Sequence, residues 1–331
     1  MSAAKRILIL YTGGTIGMQM SADGLAPASG FEARLRTQQR LEEDGGQLPD
    51  WRFRELPAPL DSANMTHADW LTMREQILAG IDDDGCDSVL VLHGTDTLAY
   101  SAAALSFLLL GLSQPVILTG SMQPAGVAGG DAWSNLFGAM RMLELGQRPG
   151  VQVFFDGRLL HGARVSKLRS DAFDAFTVLP RRRQGAHAPS IPPALDHRQP
   201  RRPVSLAVQP LFPGLGAAQL RALLESGVEA LLLECYGSGT GPANDREIMA
   251  TLQDAHDRGV VLAAISQCPQ GHVEFGVYSA SSRLQQTGLV SAAGMTREAA
   301  LGKLFALLGA GLPPAQVEHW FALDLCGELT D

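Results

Sequence analysis

Short apolar runs alternate with longer segments of helical spacing along almost the whole chain, and no other feature constrains the fold as strongly. The runs are Ile7 to Leu10, Ser88 to Leu92, Pro115 to Thr119, Gln152 to Asp156, Val204 to Gln209, Ala230 to Glu234 and Val260 to Ser266. Between them, Ala68 to Ile81, Ala99 to Leu110, Gly216 to Glu225, Asp245 to Arg258 and Thr296 to Leu308 carry apolar residues at helical spacing. Such alternation is the pattern of parallel strands joined by helical crossovers, so the fold class is α/β. A chain of 331 residues exceeds the roughly 250–300 at which a single core stops growing, and two domains follow. The boundary falls where the alternation stops. Pro180 to Pro203 holds six prolines and six arginines, and proline sustains neither a helix interior nor a central strand. Residues 181–203 are therefore expected as a linker between a domain of residues 1–180 and another of residues 204–331.

Charge narrows the partners. The formal net charge is −8, which favours neither nucleic acid nor an anionic membrane surface. No aromatic residue interleaves the arginines of the linker, as a nucleic-acid patch would require. The four cysteines, Cys86, Cys235, Cys268 and Cys326, are far apart and form no C-x-x-C pair, which points to buried thiols in a reducing compartment. The apolar run after Lys5 and Arg6 is too short for a secretory signal and meets a glycine turn at once. No stretch approaches the ~18 apolar residues of a membrane span. A cytoplasmic protein acting on a small molecule is expected.

Two loops carry the candidate chemistry. Tyr11-Thr12-Gly13-Gly14-Thr15-Ile16-Gly17 follows the first strand, at the carboxyl end where open α/β sheets bind ligands. Its paired glycines let backbone N–H groups approach an anion or an oxyanion. A tight turn without chemistry would use the same glycines, whereas the dinucleotide fingerprint and the P-loop lysine are both missing. Leu92-His93-Gly94-Thr95-Asp96-Thr97 ends another apolar strand. There Asp96 or Thr97 alone would pass for a helix cap. Two threonine-bearing loops at strand ends converge on one site, however, and a hydroxyl nucleophile needs a base, for which Lys167 is the candidate. To act as one, a lysine must lower its pKa by about three units, at a cost near 4 kcal/mol. Taken alone, Lys167 reads as a solvated surface residue. His93 reads as a loop-packing residue rather than a base, and no H-E-x-x-H or similar spacing suggests a metal.

These two segments resemble the signatures of the bacterial-type L-asparaginases, closest to the cytoplasmic type I branch. The likeness extends through Asp61-Ser62-Ala63-Asn64-Met65-Thr66, Tyr100 to Phe107, Arg164-Val165-Ser166-Lys167, Asp174-Ala175-Phe176, Ser266-Gln267-Cys268 and Gly327-Glu328-Leu329-Thr330, and so covers the chain from end to end. The resemblance implies a larger N-terminal domain with a mainly parallel mixed sheet flanked by helices and a smaller C-terminal domain with a parallel sheet. It implies Thr15 as the nucleophile toward the side-chain amide of L-asparagine, and Thr95 with Lys167 as the pair that moves the proton and activates water. Asp96 aligns with the residue that binds the α-ammonium and Ser62 with one that binds the α-carboxylate, and the resemblance makes Thr95, Gly14 and Ala63 further substrate-binding candidates. It further implies no cofactor, no metal, and a homodimer or homotetramer in which Tyr278 reaches the neighbouring subunit's site. Three positions depart from the pattern: Leu25 stands where a loop tyrosine is usual, Glu234 where some type I enzymes have a regulatory-site arginine, and Thr240 where an asparagine flanks the pocket. Tyr278 with Lys167 is expected to compensate for Leu25. The rival readings are a glutaminase or the amidohydrolase subunit of a tRNA amidotransferase, and a catalytically dead amino-acid sensor.

Overall fold

The structure is a computed structural model that describes residues 5–22, 24–42 and 48–330. Two compact units divide the chain, Met1–Val178 and Leu179–Asp331. In chain order the first contains β1 (Arg6–Gly13), β2 (Gln19–Ser21), β3 (Gly24–Ala26), α1 (Phe31–Glu42), β4 (Asp50–Leu60), α2 (His67–Asp82) and β5 (Ser88–Leu92). It continues with α3 (Leu98–Leu108), β6 (Pro115–Thr119), α4 (Ala132–Leu145), β7 (Gly150–Phe155), β8 (Arg158–His161), β9 (Val165–Lys167) and β10 (Phe176–Val178).

Its main sheet runs β4-β1-β5-β6-β7-β8, parallel throughout except for the antiparallel edge strand β8. Every residue of β5 is buried, as is β1 after its first residue. Helices cover both faces of such strands, so their sequences read as continuous apolar runs. The strand β4 escaped that pattern because it sits at the sheet edge, where Pro57 and Pro59 need donate nothing to a further neighbour. Charged Arg52, Arg54 and Glu55 suit the same position.

The second unit holds β11 (Ala186–His187), β12 (Leu206–Pro210), α5 (Ala217–Leu224), β13 (Ala230–Cys235), α6 (Arg246–Asp257) and β14 (Val261–Ser266). It ends with α7 (Ser279–Gln286), β15 (Val290–Ser291), α8 (Arg297–Gly309), α9 (Pro314–Phe321) and β16 (Leu323–Asp324). Its sheet, β12-β13-β14-β15, is parallel throughout.

The stretch 181–203, expected as a linker, groups with this second unit. Buried Arg181 donates to the carbonyls of Met295 (3.1 Å) and Cys268 (3.0 Å), and Ala186 and His187 of β11 pair with β16. Arg202 pairs with Glu229 through Nη1 at 2.9 Å. The prolines limit the segment to a two-residue strand and a single 3₁₀ turn, Pro193–Leu195, while several of its arginines are consumed by their own unit.

One buried ion pair fastens the C-terminal segment. Lys303 lies in the middle of α8 with a fully buried side chain, 2.6 Å from the equally buried Glu328. Its ammonium also donates to the carbonyls of Phe321 (3.0 Å) and Leu323, and Glu328 accepts from the amides of Leu325 (3.0 Å) and Cys326 (2.8 Å). A charge this deep is tolerable only while its partner and its hydrogen bonds are all present. Removing one member, as in Glu328→Ala, is therefore expected to cost about 3–5 kcal/mol in denaturant unfolding. The paired change Lys303→Met with Glu328→Leu should cost clearly less; an equal or greater loss in the double variant would contradict this account.

Candidate active site

The first threonine loop is set by backbone packing. At its entrance Thr12 donates its hydroxyl to the carbonyl of Leu92 (2.9 Å), fastening β1 to β5, and the amide of Gly14 donates to the carbonyl of Leu60 at the end of β4 (2.9 Å). Gly14 has φ of 80°, in the left-handed region that glycine tolerates. A Cβ at Gly14 would lie 2.3 Å from the Cα of Gly94, so the loops after β1 and β5 touch backbone to backbone. Thr15 then opens a single 3₁₀ turn, Thr15–Gly17, and is partly exposed.

The loop after β5 is held from below by its histidine. Buried His93 donates Nδ1–H to the carbonyl of Gly94 (2.7 Å), and its Nε2 accepts from the Ser101 hydroxyl (2.8 Å), whose oxygen accepts from Trp70 Nε1 (3.1 Å). This chain of donors fixes one tautomer. Burial pushes the imidazole pKa down to about 4, against which the bond to Gly94 acts only weakly. A ring held neutral with both nitrogens engaged is a strut, as the sequence reading had it, and no free general base.

Beyond Gly94, Thr95 is buried and Asp96 is exposed. Lys167, the last residue of β9, comes in over them: its Nζ lies 2.9 Å from Thr95 Oγ1 and 2.7 Å from Asp96 Oδ1. The lysine side chain is 19% exposed and the aspartate 62%, so the cation is drawn inward toward the hydroxyl while the carboxylate faces solvent. Ser62 closes the other side. It is buried where a Cβ on Gly94 would meet its Oγ at 2.4 Å, and its carbonyl accepts from the Thr97 hydroxyl (2.9 Å). The adjacent Ala63 donates its amide to Asp61, which caps the short turn Ser62–Asn64.

The structure thus brings Gly14, Ser62, Ala63, Thr95, Asp96 and Lys167 into loops that touch, with Thr15 directly after the Gly14 contact. Tyr278 belongs to the second unit, where it precedes α7 and is 58% exposed. Leu25 lies in the β2–β3 hairpin opposite Met20. Thr240 donates to the carbonyl of Tyr236 (3.3 Å), and Glu234, at the end of β13, is buried and ion-paired with Arg297.

A further set of residues shapes the loop after β6 and went unread in the sequence. Asp131 accepts from the amides of Met122 (2.8 Å) and Gln123 (3.0 Å), and Asn135 donates to the carbonyl of Gly120 (3.0 Å). Asp131 stands before a helical segment and would have passed for a cap. A cavity of about 320 Å³ opens beside this loop, lined by Met122, Gln123 and the turn Ser170 to Phe173 that follows Lys167. Among the described residues no group of three or more His, Cys, Asp or Glu side chains is placed to hold a metal, and no helix is long and apolar enough to cross a membrane.

Known relatives match the chain over almost its whole length. Residues 6–187 match the family model for the asparaginase N-terminal domain, and residues 206–321 that for the glutaminase/asparaginase C-terminal domain. The chain is 38% identical to L-asparaginase 1 of Escherichia coli strain K12, over 98% of both chains. It is 33% identical to L-asparaginase I of Vibrio cholerae, whose crystal structure superposes with a TM-score of 0.85 over 99% of this chain and 100% of that one. A human 60 kDa lysophospholipase is 33% identical over 98% of this chain and 62% of its own length. The chain belongs to the asparaginase family.

The neutral state of His93 carries a pH signature. Its pKa falls from about 6.5 in the unfolded chain to about 4 in the fold. The unfolded state therefore takes a proton first as pH drops, and the stability this neutral ring contributes is present above pH 6.5 and lost progressively toward pH 4. Denaturation midpoints measured across that range should fall, and His93→Gln should flatten the His93 part of the slope. An activity profile whose acidic limb moved in that variant, without loss of stability, would instead make His93 a working base.

Proposed function

We propose that this chain hydrolyses L-asparagine to L-aspartate and ammonia, with Thr15 as nucleophile. The observation that carries the reading is the Lys167–Thr95–Asp96 cluster on a loop pressed against the one that presents Thr15. The Thr15 hydroxyl attacks the side-chain amide carbon. The amide of Gly14 is already spent on Leu60, so the donor this turn can offer the developing oxyanion is the N–H of Thr15, and one such donor is worth about 10²–10³ in rate. Collapse of the tetrahedral species expels ammonia and leaves a β-aspartyl ester, which water then cleaves with Thr95 and Lys167 moving the proton.

Recognition follows from charge. The exposed Asp96 carboxylate suits the α-ammonium of a free amino acid, and Ser62 with Ala63 suits its α-carboxylate. An arriving ammonium competes with Lys167 for Asp96, which leaves the lysine directed at Thr95. The reading needs no cofactor and no metal. Discrimination between asparagine and glutamine rests on one methylene, worth roughly 10–200-fold in a fitted pocket, and Thr240, standing where the family resemblance has an asparagine beside the pocket, is the departure expected to shift it. A cytoplasmic location and a homodimer or homotetramer, with Tyr278 serving the neighbouring site, belong to the same proposal. Four free cysteines support the first. The second rests on the family resemblance, with Tyr278 exposed and so free to meet a neighbouring subunit.

The test is ammonia release from saturating L-asparagine and, separately, L-glutamine. Turnover is expected with asparagine, falling by about 10³-fold or more in Thr15→Ala and strongly in Lys167→Met. Thermal stabilisation by asparagine with no ammonia would identify a sensor, and equal turnover of glutamine a broader amidohydrolase. Because Glu234 already holds Arg297, asparagine saturation should be hyperbolic; a sigmoidal curve would contradict that. Tyr278→Phe should lower kcat, and an unchanged kcat would remove Tyr278 from the site.

A further inference from the structure

The hairpin β2–β3 leaves the main chain directly after the Thr15 turn and returns just before α1. It carries Met20 and Leu25 into solvent, 79% and 48% exposed, yet both of its feet are fastened to the core beneath. At the outgoing foot, Arg34 of α1 donates Nη2–H to the carbonyl of Gly17 (2.7 Å), and the amide of Ala125 donates to the carbonyl of Ile16 (3.1 Å). At the returning foot, the Tyr11 hydroxyl donates to the carbonyl of Ala28 (3.1 Å).

Tyr11 is the better anchored of the two side chains. It has no exposed surface, and its ring stacks on Phe31 at 5.2 Å and on Phe53 at 6.2 Å. Its hydroxyl also underlies the outgoing foot, since a Cβ on Gly17 would stand 1.7 Å from Tyr11 Oη. Arg34 rests on the same Phe31 ring, its guanidinium carbon 5.0 Å from the centroid. One phenol therefore touches both ends of the hairpin. Burial pushes its pKa up to about 12, so it remains a hydrogen-bond donor over the working pH range.

We propose that Tyr11 and Arg34 are positioning residues for Thr15: by pinning the carbonyls of Ala28 and Gly17 they fix both feet of the hairpin, and with them the turn that aims the nucleophile. The inference rests on Thr15 being the nucleophile. Neither side chain takes part in the chemistry. Their effect is geometric, and misplacing a reacting group by about 1 Å costs up to about 10²-fold in rate.

The experiment compares Tyr11→Phe, which removes a single oxygen, with Arg34→Met and Arg34→Lys in the full-length protein. Steady-state kinetics on L-asparagine are run beside Thr15→Ala, and proteinase K digestion is mapped by mass spectrometry. Tyr11→Phe and Arg34→Met should each lower kcat by roughly 10-fold or more while KM moves less, and cuts within residues 18–27 should appear faster. Arg34→Lys should recover much of the Arg34→Met loss, because one donor to Gly17 is restored. Thr15→Ala should be inactive with hairpin cleavage at the unmodified rate. Normal kcat and cleavage in Tyr11→Phe and Arg34→Met would overturn the proposal, as would lost thermal stability with kcat per folded molecule unchanged. An active Thr15→Ala would instead overturn the nucleophile assignment, whatever the other variants do.

Discussion

The backbone contact between Gly14 and Gly94 is the constraint on which the site depends. Adjacent parallel strands lie about 4.8 Å apart, and the register that sets Tyr11 of β1 beside Leu92 of β5 delivers their two following loops at one height. Only residues without a Cβ let those loops close on each other, because a methyl group at Gly14 would stand 2.3 Å from the Gly94 backbone. Ser62 is pressed against Gly94 in the same manner from the end of β4. Three strand ends thus share one glycine-lined junction, and Thr15, Thr95 and Ser62 all hang from it. A larger residue at Gly14 would part the loops at their backbones, and one at Gly94 would strike the Ser62 side chain as well.

The polar groups around that junction are arranged so that each loop is held by something outside it. His93 is tied to Ser101 and Trp70 on two helices, the Gly14 amide to β4, Thr12 to β5, and the loop after β6 to Asp131 and Asn135. Buried polar networks of this kind are favourable only when every member is satisfied, and then they specify a single arrangement. Lys167 is the contrasting case. It comes from a short antiparallel pair, β9 and β10, and its position depends on Thr95 and Asp96 themselves. The cation is thus held by the two residues it serves rather than by a support outside the cluster.

How much of this could be read beforehand follows from the same physics. Strands buried on both faces announce themselves as apolar runs, and Ser88–Leu92 and Pro115–Thr119 appear in the structure with the bounds read from the sequence. The strand β4 hid behind its prolines because an edge position excuses them, and β9 and β10 are three residues each, too short to show a period. The candidate site residues were drawn from two motifs plus an end-to-end resemblance. Their supports were not, because Asp131, Asn135, Ser101 and Trp70 act at distances of tertiary contact and carry no local pattern. The stretch 181–203 shows the opposite error. Its prolines were read as a tether, but they only shorten its regular elements, and Arg181 finds its acceptors across more than eighty residues of chain.

Glu234 shows how a departure from a family pattern is absorbed. A carboxylate with a side chain only 5% exposed at the end of a central strand is costly without a counter-charge. Arg297, at the start of α8, supplies it. An arginine at position 234 would have faced Arg297 instead, and two cations side by side would seek an external anion such as a carboxylate ligand. With glutamate there, the charge is closed internally. An amino-acid effector would have to break an existing ion pair in order to bind, and the carboxylate left behind would repel its own. The proposed absence of cooperativity would thus follow from one side chain's sign, with the loops around Thr15 left as they are.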